Sequence, residues 1–149
     1  MLIRWLLAAA HLLGLGIGLG SAWARGHALR GTLDQAGIRR VFYADNWWGV
    51  SAIVLIGTGL VRAFGGYEKG STYYLHNHLF WIKMTLLGLI LLLEIGPMVT
   101  LVRWRRQVGR GELPDTRAAP RYAGTSSLQA VLLVLMVLAA TGMARGWGQ

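Results

Sequence analysis

The chain of 149 residues contains no cysteine. That excludes disulfides, thiolate-held metals and cysteine-anchored haem or iron–sulfur clusters. Charge is also scarce: 14% of residues are Asp, Glu, Lys or Arg, against 54% that are apolar. This balance excludes an ordinary soluble domain. Acidic groups are the rarest of all, six against fifteen Lys and Arg, which leaves a net charge of +9. A charge of that size suits nucleic acid only on a soluble basic fold, and none accompanies it here. Of three prolines, only Pro97 falls inside an apolar run, where it removes a backbone hydrogen bond and is expected to kink a helix.

What the chain does have is long apolar blocks. Crossing about 30 Å of hydrocarbon takes about 20 helical residues. Trp5 to Ala24 gives 20 uncharged residues, Asn46 to Val61 gives 16, and Tyr122 to Ala144 gives 23. A further block from Leu75 to Leu101 is interrupted by Lys83 and Glu94. The spacing predicts helices over about 2–23, 38–64, 75–105 and 122–144, a single integral membrane domain covering 1–149. The fold class is all-α, a four-helix transmembrane bundle surrounded by the lipid bilayer.

Basic residues orient such a bundle, because they collect in cytoplasmic loops. Ten flank one side: Arg25, Arg30, Arg39, Arg40, Arg103, Arg105, Arg106, Arg110, Arg117 and Arg121. Four flank the other: Arg4, Arg62, Lys69 and Arg145. The expectation is a multi-pass protein of the bacterial inner membrane with both termini in the periplasm. The first block is a permanent span rather than a signal peptide, since its positive charge lies mostly behind it. Gly14, Gly16, Gly18 and Gly20 alternate in that block. Small residues four apart let helix backbones approach closely, within the bundle or against another subunit. Gly14 and Gly18 are therefore candidates for contact with a membrane-protein partner or a second copy.

Lys83 is the residue that chemistry must explain, because a charge inside a span costs about 2.5–3.5 kcal/mol on insertion scales. At 1.5 Å per residue, His11, Lys83 and Met136 all fall roughly 10–12 Å below the same surface, with Arg62 above them. Asp45 and Glu94 lie toward the opposite end, too distant to pair with Lys83. Lys83 can snorkel, act as a neutral amine or proton carrier, or neutralise an anionic ligand such as a porphyrin propionate or a lipid headgroup. His11 can bond across helices, or ligate haem iron through its neutral imidazole. His76, His78 and Met136 are candidate second ligands, and His76, Phe80 and Lys83 share a helical face by their four- and three-residue spacing. His76-Asn77-His78 could hold copper or zinc, with His11 a further candidate metal ligand.

The run Gly70-Ser71-Thr72-Tyr73-Tyr74-Leu75-His76-Asn77-His78-Leu79-Phe80-Trp81-Ile82-Lys83-Met84 resembles a family of small bacterial inner-membrane proteins described only as a domain of unknown function. Ala10-His11-Leu12-Leu13-Gly14, and Pro97 with Arg103-Trp104-Arg105, carry the same resemblance. More distantly, His11, Trp81 and Lys83 resemble positions in copper-resistance D-type proteins and in the membrane protoporphyrinogen oxidase family. That resemblance implies haem b binding or copper handling. The residues thus point to a haem- or porphyrin-associated membrane protein with a redox or proton-transfer role. In it His11 is the ligand and Lys83 the counter-charge or candidate catalytic group. The rival is a non-enzymatic accessory subunit, and enzyme activity is left open.

The orientation has a direct test. A C-terminal alkaline phosphatase fusion should be active in cells, whereas a cytoplasm-only reporter active at that position would reverse the topology.

Overall fold

A computed structural model describes residues 1–148. Five helices form: α1 (Leu2–Arg30), α2 (Gln35–Phe64), α3 (Ser71–Leu75), α4 (His78–Gly109) and α5 (Ala119–Ala144). All but the short α3 are long and apolar enough to cross a membrane. The expectation of an all-α, four-span architecture therefore holds.

The helix limits differ from the hydropathy reading wherever polar residues continue a helix. The first helix runs on past Trp23 to Arg30, because Arg25, His27 and Arg30 are as compatible with helix as the apolar residues before them. Asp34 starts α2 earlier than residue 38 by accepting from the Gly37 N–H at 2.8 Å. Its far end is where the diglycine put it, with Gly65 as cap and Gly66 at φ +74°. The fourth helix starts at His78, since the Asn77 side chain accepts from Leu79 N–H at 2.9 Å and caps it. His76 consequently lies outside α4, at the end of α3, and does not share a helical face with Phe80 and Lys83. Pro97 is buried within a continuous α4, its missing N–H tolerated in an otherwise unbroken helix.

The long helices alternate in direction, so both ends of the chain meet at one end of the bundle, where the His78 N–H donates to the Gly148 carbonyl at 2.8 Å. The opposite end carries most of the arginines. α1 packs against α2 and α5, and α5 against α4, while α2 and α4 leave a seam between them. Gly14 and Gly18 face α2: a Cβ on Gly14 would sit 2.9 Å from Val54 Cγ1, and one on Gly18 3.0 Å from Ser51 Oγ. The surface this pair offered to a second copy is therefore covered within the subunit. Gly16 and Gly20 meet nothing within 4 Å.

Three apolar clusters fill the interior. Leu29, Val41, Leu101, Trp104, Ala119 and Ala123 form one at the basic end. Ala22, Trp48, Ile90, Leu132 and Leu133 form the second, in the middle. Ala63, Phe80 and Met143 form a small third at the end that holds the termini. Tryptophan near a span end is usually interfacial, yet Trp48 and Trp104 are 7% and 3% exposed and belong to these clusters.

The two glycine pairs should respond differently to bulk. Gly18→Leu should cost on the order of 1–3 kcal/mol through overpacking, seen as a lower thermal midpoint in detergent. Gly16→Leu should leave that midpoint unchanged; equal losses at both positions would contradict the assignment of faces.

Candidate functional site

Between the first two apolar clusters lies a polar layer built on Arg25, whose side chain is 0% exposed. Its guanidinium has five N–H donors, and five hydrogen bonds meet it. Nε donates to Ser126 Oγ at 3.0 Å, and one terminal nitrogen to Asp45 Oδ1 and Glu94 Oε1, both at 2.8 Å. The other donates to Glu94 Oε2 and Gln129 Oε1, again at 2.8 Å. Gln129 passes its own N–H groups to Glu94 and to the Ile90 carbonyl. Asp45 takes a second cation, Arg105, at 2.9 Å. The Trp48 ring lies below the guanidinium, 5.3 Å from Cζ to the ring centroid.

Each of the four long helices contributes: Arg25 from α1, Asp45 and Trp48 from α2, Glu94 and Arg105 from α4, Ser126 and Gln129 from α5. Two cations face two carboxylates, so the layer carries no net formal charge. Among the described residues no buried side-chain polar atom lacks a partner. A buried ion pair recovers its desolvation cost only with this kind of complete hydrogen bonding. The layer is a lock across the bundle rather than a place where a ligand enters. It also decides the fate of Asp45 and Glu94, which Arg25 occupies and Lys83 cannot reach.

The sequence reading put Arg25 in a loop and so missed this layer. The signal was present in the two acids: Asp45 and Glu94 sit inside spans and demand a cation at their own depth. Reading the first helix two residues further, about half a turn, would have supplied it.

A second polar layer lies between the middle and third clusters, and its construction is unlike the first. None of residues 1–13, 52–62, 81–89 or 134–138 is fully buried. His11 is half-buried on α1, with Nδ1 2.8 Å from Thr58 Oγ1 on α2. Thr58 has one hydroxyl proton, and its donation goes to the Val54 carbonyl. Thr58 therefore accepts from His11 Nδ1–H, which assigns the tautomer and leaves the Nε2 lone pair without a hydrogen bond among the described residues. A Cβ on Gly59 would lie 3.5 Å from His11 Cε1, an ordinary contact, so the imidazole packs beside this glycine.

Lys83 is half-buried on α4 and makes no hydrogen bond or ion pair with a described residue. Arg62 is partly neutralised by Glu68 at 3.1 Å. Met136 is half-buried and packs against the middle cluster. His76 is exposed, with Nδ1 2.8 Å from the Thr72 carbonyl, and His78 is exposed in the first turn of α4. Among the described residues no three of His, Asp or Glu gather as a metal ion would require.

The end above this layer is closed by polar contacts. Tyr73 Oη donates to the Met143 carbonyl at 3.0 Å, and Asn77 Nδ2 to the Trp147 carbonyl at 2.9 Å. Burial pushes the Tyr74 phenol above its usual value, with the Glu68 charge adding to the effect, so it stays neutral beneath this cover. The described residues of this layer thus leave one imidazole Nε2 and the Lys83 amine without a hydrogen bond.

A family model described as "Predicted membrane protein (DUF2214)" matches residues 3–148. The chain belongs to the DUF2214 family. No curated protein and no solved structure matches it. Nearly the whole DUF2214 chain, both polar layers included, falls within the matched span.

The Arg25 layer can be tested by uneven loss. Arg25→Leu strands two buried carboxylates and should cost about 3–5 kcal/mol. Adding Glu94→Leu leaves Asp45 paired with Arg105, so the double variant should be more stable than Arg25→Leu alone. Denaturation showing simple additivity would argue against a shared network.

Proposed function

We propose that this DUF2214 protein is a haem b- or porphyrin-associated protein of the bacterial inner membrane. Its basic end would face the cytoplasm and its termini the periplasm. The observation that carries the reading is the His11–Thr58 hydrogen bond. Metal-bound histidines nearly always donate their other ring N–H to a fixed acceptor, which orients the ring and raises its basicity. Thr58 fills that role here, and Nε2 is left for iron.

Lys83 serves as the counter-charge to a propionate, and Arg62 as a second, weaker one because Glu68 already engages it. Lys83 also offers a proton-carrying amine next to the ligand. Met136, on the neighbouring α5, would be a second ligand to such a group, with His76 further away at the surface. A bound haem would supply one-electron chemistry; the chain supplies orientation, charge compensation and exclusion of bulk water. Periplasmic copper handling by His76 and His78 has less behind it, since each is exposed and His76 bonds its own helix. A different reading, an accessory subunit of a larger membrane complex, draws on Gly16 and Gly20, which are open to neighbours.

Absorbance of the purified protein decides between the two. A Soret band should accompany the protein or appear on adding hemin. His11→Ala should abolish it, Thr58→Val should broaden or weaken it, and Lys83→Met should lower hemin affinity without loss of fold. A folded protein with no Soret band under either condition would leave the accessory reading.

A further inference from the structure

The basic end of the bundle has more cations than its own carboxylates can meet. Five acids lie there, and every one is engaged inside the fold. Asp34 caps α2, Asp45 and Glu94 hold Arg25, Glu112 pairs with Arg110, and Asp115 with Arg117. Arg39, Arg40, Arg103 and Arg106 are exposed and have no hydrogen bond or ion pair with a described residue. Their counter-ions must come from outside the chain.

What lies below them in the same helical stripes narrows the choice. On α2, Arg40, Tyr43, Trp47 and Val50 recur at three- and four-residue steps and so descend one face. Tyr43 is 67% and Trp47 42% exposed, with their rings edge-on at 6.5 Å. On α4, Arg106, Val102, Val99, Ile95 and Leu92 descend another, all of them exposed. Each stripe runs from guanidinium to aliphatic surface, and on α2 an aromatic step lies between. A soluble anion would use only the top of such a stripe. A molecule with an anionic head and acyl chains would use all of it.

We propose that these two stripes bind anionic phospholipids of the adjoining leaflet, the phosphates on Arg39/Arg40 and Arg103/Arg106. Tyr43 and Trp47 sit at the glycerol level, and the acyl chains lie along Val50 and along Val102–Val99–Ile95–Leu92. Each basic group near an anionic surface contributes on the order of 1 kcal/mol. Four of them favour an anionic over a zwitterionic lipid by well over tenfold. This holds whether or not the other end of the protein takes a haem.

The test is native mass spectrometry of the full chain in detergent, titrated with phosphatidylglycerol or phosphatidylcholine of matched acyl length. Phosphatidylglycerol adducts should persist at concentrations where phosphatidylcholine adducts are lost. The preference should fall at least roughly tenfold in Arg39→Gln/Arg40→Gln/Arg103→Gln/Arg106→Gln. These side chains make no hydrogen bond or ion pair with a described residue, so thermal unfolding of that variant should match the parent. Should it not, the paired variants Arg39→Gln/Arg40→Gln and Arg103→Gln/Arg106→Gln each carry the same test at half strength. Equal retention of the two lipids, or an undiminished preference in the variants, would overturn the proposal. So would displacement of phosphatidylglycerol by inorganic phosphate at constant ionic strength, which would show that the aliphatic stripes take no part.

Discussion

The five-fold saturation of Arg25 is the interaction on which the architecture depends. A guanidinium in the hydrocarbon layer is tolerated only when each donor finds an acceptor, and the acceptors here come from α2, α4 and α5. Apolar packing alone specifies register poorly between membrane helices, because lipid tails compete on equal terms with leucine. The Arg25 layer sets the register of Asp45 against Glu94 and of both against Gln129. The two larger apolar clusters then close on either side of it. The glycine approach of α1 to α2 follows the same registration.

A bundle locked near one end is free to be loose toward the other. Beyond Gly14, Ser51, Ile90 and Leu133 the helices bury no residue fully until Phe80, Ala63 and Ala139, and three groups able to carry positive charge line the interval. His11, Lys83 and Arg62 there have Glu68 as their nearest engaged acid, and only Arg62 bonds it. The two polar layers thus differ in kind. One is balanced and closed, as a structural element should be. The other leaves the Lys83 amine and one imidazole lone pair without a hydrogen bond among the described residues. The lipid-shaped stripes lie at the locked end, where anionic headgroups would reinforce the same half.

Much of the fold was legible because span length and flanking charge are strong signals. The seat of Asp45 and Glu94 away from Lys83 was legible too, from depth counting. What escaped was the membership of polar residues in helices: Arg25 reads as loop by charge, yet nothing in its neighbours stops the helix before Gly31. Trp48 and Trp104 escaped for a related reason. Tryptophan near a span end is usually interfacial, but one beside a buried cation or a helix crossing is core, and only packing distinguishes them. For His11, its depth could be counted; its partner Thr58 could not, because a hydroxyl in a span usually bonds its own helix. Thr58 does that as well, and the tautomer argument depends on its doing both.

The contrast between a closed half and an open half can be measured directly, since a chain without native cysteine accepts single cysteines one at a time. Thr58→Cys and Leu87→Cys, in the open layer, should react readily with a small methanethiosulfonate reagent in detergent. Ser126→Cys and Ile90→Cys, in and beside the Arg25 layer, should stay unreactive until the protein is denatured. Comparable reactivity at all four positions, or protection at Thr58 and Leu87 with reaction at Ser126, would contradict the division.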